Sequence, residues 1–251
     1  MDSLISRQIS RLHKAPAMAS IAVAGGGGSA LGWLLKTPGA SRTILEISVP
    51  YSSSALGKFL HIEPRQIVSV DTAKLIARTA YERACLLGLN GAPLVGLGGT
   101  SAIATSRDKK GKHRTFVSTC TVDVLTTYSI VFVKGLRDRI GEDEIVSKLV
   151  IQGLAEAFGV EFDIPLGLYS GEYVEVFSQK RNDMIDALLA GRLNSVTVHA
   201  DGNMVANEVI NGGILCGSFD PIHQGHQQLV SVSELILNNS VIYELSVTNV
   251  D

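Results

Sequence analysis

The stretch Ile214-Leu215-Cys216-Gly217-Ser218-Phe219-Asp220-Pro221-Ile222-His223-Gln224-Gly225-His226 constrains this chain more than any other. Three apolar residues deliver a buried strand to Gly217. Phe219-Asp220-Pro221 then makes a fixed bend, because the proline ring pins φ. Residues 226–237 read as a helix, and Val241 to Val247 as a second strand, so the segment predicts one βαβ unit. His223 and His226 stand three positions apart at the opening of the helix, where both side chains can project to one side. The helix N-terminus adds unpaired N–H groups and the positive end of the peptide dipoles, which attract phosphate. Gly225 lets a flat or bulky ligand approach the backbone. Two imidazoles above a helix N-terminus form an electropositive cradle for a triphosphate, and chemistry at the α-phosphate would be catalysed by positioning and charge stabilisation.

The same residues match the pattern G-[ST]-F-[DN]-P-x-H-x-G-H at every position. The stretch therefore resembles the H-x-G-H nucleotidyltransferase superfamily, in wording most like its nicotinate-mononucleotide adenylyltransferase branch. Pantetheine-phosphate adenylyltransferases and cytidylyltransferases are neighbouring branches. The resemblance implies that His223 and His226 are catalytic and stabilise a pentavalent transition state. It implies nucleotide binding by Gly217, Ser218, Phe219, Asp220 and Gly225, with ATP or CTP as donor, a phosphate monoester as acceptor and Mg²⁺ carried by the triphosphate. The superfamily's second motif, of the type I-S-S-T-x-x-R, is not found after Val241. The resemblance covers about 40 residues, whereas a domain usually needs more than about 100. The expectation is an incomplete Rossmann-like domain over 211–251, from a truncated chain, a splice form or a fragment, inactive in transfer by itself.

Strands and helices alternate through the rest of the sequence. Residues 3–13 carry Leu4, Ile5, Ile9 and Leu12 at helical spacing. Ala19 to Ala24 is a buried-strand candidate, followed by the run Gly25 to Ser29 and a short helix from Ala30 that ends at Pro38-Gly39. Strands are expected over 43–49, 93–97, 115–124 and 127–133, and helices over 71–87 and 142–158. This is the pattern of a layered α/β domain with a parallel or mixed sheet. We place it at 1–165 and read 166–210 as a connecting region, with helical character at the end of 172–190, a strand over 195–199 and a turn over 200–203.

Within 18–160, Thr37-Pro38-Gly39-Ala40 is followed at fixed spacing by Tyr51-Ser52-Ser53. This part is similar to the C-terminal domain of the competence-damage family CinA, the nicotinamide-mononucleotide amidohydrolases, whose members read E-S-C-T-G-G, then V-P-G-[AS], then Y-S-N. Counting back from Pro38 puts Val23 to Gly28 at the first element. Only Gly27 and Gly28 survive there, and Ala24 takes the place of the catalytic serine. Leu56 stands where many relatives have lysine, with Lys58 nearby. The resemblance implies a degenerate amidase-like site marked by Ala24, Gly27, Gly28 and Tyr51. The glycine run could serve as a structural or anion-binding turn, with Gly25 to Gly28 exposed at a sheet edge facing a pocket. Ser29 reads as a helix N-cap or as a displaced nucleophile.

A net charge of −2 argues against a nucleic-acid-binding surface. The basic stretch Arg107 to Arg114 reads as a solvated hairpin loop, since no aromatic residue interleaves it. Cys85, Cys120 and Cys216 stand far apart with no C-x-x-C pair, which suits a reducing compartment. His13, His61 and His199 show no metal-ligand spacing and read as structural, so no metal site is expected. No leader or membrane-spanning stretch is evident, and we read a cytoplasmic protein. Self-association through the CinA-like domain is implied by resemblance alone. Three functions remain open: a nucleotidyltransferase with a degenerate amidase domain, a non-catalytic nucleotide-binding or scaffold protein, and an amidase using Ser29 or Ser52.

Overall fold

The structure, a computed structural model, describes residues 3–88, 91–106, 110–181, 183–189 and 193–246. In chain order its elements are α1 (Ser3–Leu12), β1 (Met18–Ala24), α2 (Gly28–Lys36), β2 (Ile44–Ser48), α3 (Ser53–Leu60), α4 (Val70–Leu87), β3 (Leu94–Ala102), β4 (His113–Cys120), β5 (Val124–Phe132), α5 (Arg139–Ala157), β6 (Glu175–Lys180), α6 (Asp183–Leu189), β7 (Val196–Val198), β8 (Met204–Ala206), β9 (Gly213–Cys216), α7 (Gln224–Leu237) and β10 (Val241–Glu244). They divide into two compact units, Met1–Arg181 and Asn182–Asp251. Among the described residues no helix is long and apolar enough to cross a membrane.

The first unit is an α/β fold built on one six-stranded mixed sheet in the order β2-β1-β3-β4-β5-β6. β1 pairs in parallel with β2 and β3, while β3 through β6 pair antiparallel. Every residue of β1 is buried, as expected of a parallel strand covered on both faces. Ala19, Ile21 and Val23 face a core shared with α1, α2 and α5. Ala22 faces Leu56, Leu60 and Ile76 of α3 and α4. The result is a sheet between two helical layers.

α4 begins at Ser69, whose side chain accepts from the Thr72 N–H at 3.1 Å. Its inward face is Ala73, Ile76, Ala77, Ala80 and Ala84, all buried. Opposite lie Gly96 and Gly98 of β3. A Cβ on Gly96 would fall 2.2 Å from the Ala77 carbonyl oxygen, and one on Gly98 2.3 Å from the Ala77 nitrogen. Helix backbone therefore rests directly on strand backbone.

The structure departs from the sequence reading at several places. α3 occupies a segment with no expected element: it is only eight residues long, too short for a sustained period. The stretch 115–124, read as one strand, is interrupted by a turn in which the Thr121 hydroxyl accepts from the N–H groups of Asp123 and Val124. β6 lies where irregular chain was expected. Its Val176 and Phe177 are exposed, so it lacks the alternation that marks a half-buried strand. The basic stretch is not wholly a loop, since His113 and Arg114 belong to β4; positions 107–109 lie outside the described residues. In the second unit β7 pairs antiparallel with β8, a strand not foreseen, while β9 and β10 pair in parallel around α7. Val247 lies outside the described residues.

The chain beyond α5 is tied to the sheet by Glu172. Its side chain is fully buried and accepts from Arg137 at 2.8 Å, the Val133 N–H at 2.9 Å and the Tyr169 N–H at 2.9 Å. The Arg137 guanidinium also lies 4.1 Å from the Tyr169 ring centroid. Burial pushes the Glu172 carboxyl up, but Arg137 and the two N–H groups outweigh it and hold the group below its ordinary range. The unfolded chain therefore binds the proton more tightly. The stabilisation is complete above the ordinary carboxylate range and is lost as pH falls through the lower folded value. Glu172→Ala is expected to cost about 3 kcal/mol at pH 7, because it strands a buried arginine. It should also flatten the acid side of the stability profile. Urea denaturation at pH 7 and pH 4 reads both effects, and a variant as stable as wild type at pH 7 would contradict this account.

Candidate functional site

Two groups of residues singled out by the sequence gather into sites, one in each unit. In the first unit Ala24 ends β1, and its chain neighbour Gly25 turns away with φ +92. A Cβ at Gly25 would lie 2.2 Å from the Ser101 carbonyl oxygen, so the turn can press against β3 only because the residue is glycine. A cleft of about 220 Å³ opens there, lined by Ala24, Gly25, Tyr51, Thr100, Ser101 and Arg139 among others. The Arg139 guanidinium donates to the carbonyls of Ala104 (3.1 Å) and Gly25 (3.2 Å) and to the Tyr51 hydroxyl (3.3 Å). The Thr100 hydroxyl donates to the Ile67 carbonyl at 2.8 Å, and the hydroxyls of Ser101 and Thr115 share a hydrogen bond of 2.7 Å. These hydroxyls are committed to the framework rather than to a base, and Ala24 offers only a methyl group.

The glycine run is not an exposed edge. β1 is an internal strand, Gly26 and Gly27 are buried, and of the four only Gly28 is well exposed. Its N–H groups do meet an anion, but an internal one. Asp143 of α5 accepts from Gly27 (2.8 Å), Gly28 (3.3 Å) and Ser29 (3.4 Å), and from the Ser29 hydroxyl at 2.8 Å. The N-cap of α2 is Gly27, not Ser29. Ser29 is thus not the cap, and its hydroxyl donates to the Asp143 carboxylate. Ser52 caps α3 by accepting from the Ala55 N–H at 3.1 Å. Leu56 is buried and Lys58 exposed.

Beside Asp143, the fully buried Glu142 accepts from the Ala104 N–H at 2.7 Å and pairs with His113 Nδ1 at 2.8 Å. The sequence reading missed Arg139, Glu142 and Asp143. An acidic residue in the first turn of a helix, such as Glu142, is ordinary capping composition, and nothing local distinguished Arg139 or Asp143. His13 is structural, as expected. Its ring bonds the Thr43 hydroxyl at 2.6 Å and the Leu34 carbonyl at 3.0 Å, and burial pushes its pKa down. His199 lies 3.2 Å from Glu208.

In the second unit β9 delivers the chain to Gly217, whose N–H donates to the Glu244 carbonyl at 3.1 Å. Phe219 takes a positive φ of 47°, and its ring folds back over Gly217, where a Cβ would stand 2.9 Å from ring carbons. His223 is the extended N-cap residue of α7. The rings of His223 and His226 stack with centroids 3.7 Å apart and planes 21° apart. The His223 N–H donates to His226 Nδ1 at 3.4 Å. Phe219 meets His226 edge-on at 5.1 Å and Tyr243 of β10 at 5.0 Å. A Cβ at Gly225 would lie 3.1 Å from the His223 ring. The structure so brings together Gly217, Phe219, His223, Gly225 and His226, with Ser218 and Asp220 exposed in the intervening loop. Tyr243 was not foreseen, since nothing in a strand sequence signals contact with a distant loop. The Cys216 thiol, hydrogen-bonded to Glu244, sits above its ordinary pKa. Among the described residues no group of three or more His, Cys, Asp or Glu side chains converges as a metal site.

No protein-family model matches the sequence, and no curated protein matches it. Among solved structures the chain is similar to the competence/damage inducible protein CihA from Agrobacterium tumefaciens, at 19% identity and a TM-score of 0.46, over 63% of this chain and 96% of that one. It is also similar to a CinA-superfamily protein from Enterobacter cloacae, at 19% identity and a TM-score of 0.41, over 62% and 89% of the two chains. A third similarity is to a competence or damage-inducible protein from Enterobacter asburiae, at 16% identity and a TM-score of 0.44, over 63% and 98%.

Proposed function

We propose that this chain handles nucleotides in the cytoplasm, and that its second unit belongs to the machinery of nucleotidyl transfer. The observation that carries the reading is the stacked pair His223 and His226 at the N-terminus of α7. Because His226 Nδ1 accepts the His223 N–H, the proton of the neutral ring resides on Nε2, which is left to donate to a phosphoryl oxygen. The helix N-terminus adds positive potential at the same place. In the reaction, an oxygen of a phosphate-monoester acceptor forms a bond to the α-phosphorus of ATP or CTP. The bond from that phosphorus to the bridging oxygen breaks, and pyrophosphate leaves with the electron pair. Nicotinate or nicotinamide mononucleotide is the acceptor class that the sequence resemblance favours. Imidazole donors placed where charge accumulates lower the barrier without covalent chemistry. Mg²⁺ would arrive on the triphosphate, and its charge would offset that of the phosphates.

The expected result is that the chain binds MgATP, or MgCTP, and that His226→Ala weakens binding about tenfold, the loss of one charge-assisted hydrogen bond. Titration calorimetry on both chains decides it. Equal affinity in wild type and variant, or no binding by either, would sink the reading.

For the first unit we propose a non-hydrolytic role on an amidase-like framework. This second reading rests on Ala24 in the lining of the cleft and on the engagement of the nearby hydroxyls. An amide-cleaving serine enzyme needs an oxygen nucleophile with a base beside it. The chain is expected to release no ammonia from nicotinamide mononucleotide above the level of a heat-killed control. Ala24→Ser alone should not restore release, because Leu56 stands in the place of the relatives' lysine. Ammonia production by the wild-type chain would overturn this, and rescue by Ala24→Ser would show that a base is already in place.

A further inference from the structure

Three aromatic rings run in contact from β10 to the histidine pair. Tyr243, which pairs with Leu215 of β9, meets the Phe219 ring at 5.0 Å with planes 77° apart. Phe219 meets His226 at 5.1 Å with planes 83° apart. Both are edge-to-face arrangements, the geometry that aromatic quadrupoles favour. The Phe219 backbone is left-handed at φ 47°, a region a bulky residue enters only when its surroundings hold it there. Its ring has two aromatic partners to do so, Tyr243 and His226. His226 in turn is held by three constraints: the stack on His223, the edge contact with Phe219 and the long hydrogen bond from the His223 N–H. The last of these favours the Nε2–H tautomer, but at 3.4 Å it is weak, so the ring's orientation depends on its neighbours.

We infer that Tyr243 is a positioning residue for His226, acting through the Phe219 ring to keep Nδ1 on the His223 N–H and Nε2–H turned outward as the donor. Its consequence for ligand binding rests on the nucleotide reading above; the effect on the imidazole does not. The hydroxyl of Tyr243 has no part in this role and the ring does all of it. Removing the ring leaves Phe219 with one partner, lets it leave the left-handed conformation and frees His226 to exchange tautomers.

The test is nitrogen-15 imidazole spectroscopy on the full chain, with MgATP titration alongside. Wild type is expected to show His226 as the Nε2–H tautomer. Tyr243→Leu should give a mixture of tautomers and an affinity for MgATP about 3- to 10-fold weaker, the size of one aromatic contact. Tyr243→Phe should retain the wild-type tautomer and affinity, and Phe219→Leu should reproduce the Tyr243→Leu spectrum, which keeps the inference decidable if one of the two leucine variants does not fold. Wild-type tautomer signals in either leucine variant would overturn the inference, and so would loss of the tautomer in Tyr243→Phe. If the tautomer shifts as expected while wild type binds no MgATP, the positioning role stands and the nucleotide reading falls.

Discussion

Everything in the first unit is arranged around the contact between α4 and β3. Where Gly96 and Gly98 face Ala77, no side chain separates helix from strand. Such close approach maximises dispersion contact between the two backbones and leaves no slack. Sliding α4 along β3 would bring a side chain to where only hydrogen now fits, so the register of the helix is fixed in both directions. β3 also pairs with β1 from Met18–Leu94 through to Ala24–Thr100. The same strand that seats α4 therefore sets how far β1 runs before it turns at Gly25. The position of the cleft follows, since Thr100 and Ser101 lie near the end of β3 and the Thr100 hydroxyl reaches back to Ile67, just ahead of α4.

That cleft is built like a ligand site and satisfied like a core. A turn rich in glycine at the end of a parallel strand exposes several N–H groups to one point, and buried N–H groups require acceptors. Here α5 supplies them. Asp143 takes the donors of Gly27, Gly28 and Ser29, Glu142 takes that of Ala104, and Arg139 takes the carbonyls of Ala104 and Gly25. Three side chains near the start of α5 thus satisfy polar groups of two loops. The arrangement ties α5 to the loops that follow β1 and β3.

The layered α/β class, the strand–glycine–helix–strand order of residues 18–48 and the βαβ order of the second unit were legible because each rests on local signals. Buried parallel strands are short apolar runs, and glycine and proline punctuate them. Mixed pairing within the sheet was only half legible: an antiparallel edge such as β6 is exposed enough to lose its alternation. The two histidines were legible because their chemistry and their spacing occupy a few consecutive residues. Asp143 was not, because its partners lie 114 to 116 positions away. A carboxylate at a helix start looks the same in sequence whether it meets water or a buried turn. Tyr243 escaped for the same reason.

The two units differ in what holds their polar groups. In the first, the functional-looking atoms are consumed by long-range hydrogen bonds, and the site is rigid because the core is. In the second, α7 has no buried residue, and Leu229, Val232, Leu235 and Ile236 are exposed. Little hydrophobic burial stands behind the histidine pair. Apart from the Tyr243 ring against Phe219, its geometry comes from contacts between residues 217 and 226: the ring of Phe219 over Gly217, the edge of that ring against His226, the His223 stack and the shared N–H. Short-range contacts of this kind cost little loop-closure entropy, so they persist without a large core. They are also weak individually. A bound triphosphate would add charge-assisted hydrogen bonds to the same few residues, and ligands that bind only the ordered form stabilise it in proportion to their concentration. A triphosphate bound there would therefore help to build the histidine site, whereas the loop N–H groups beside the cleft of the first unit already have side-chain acceptors.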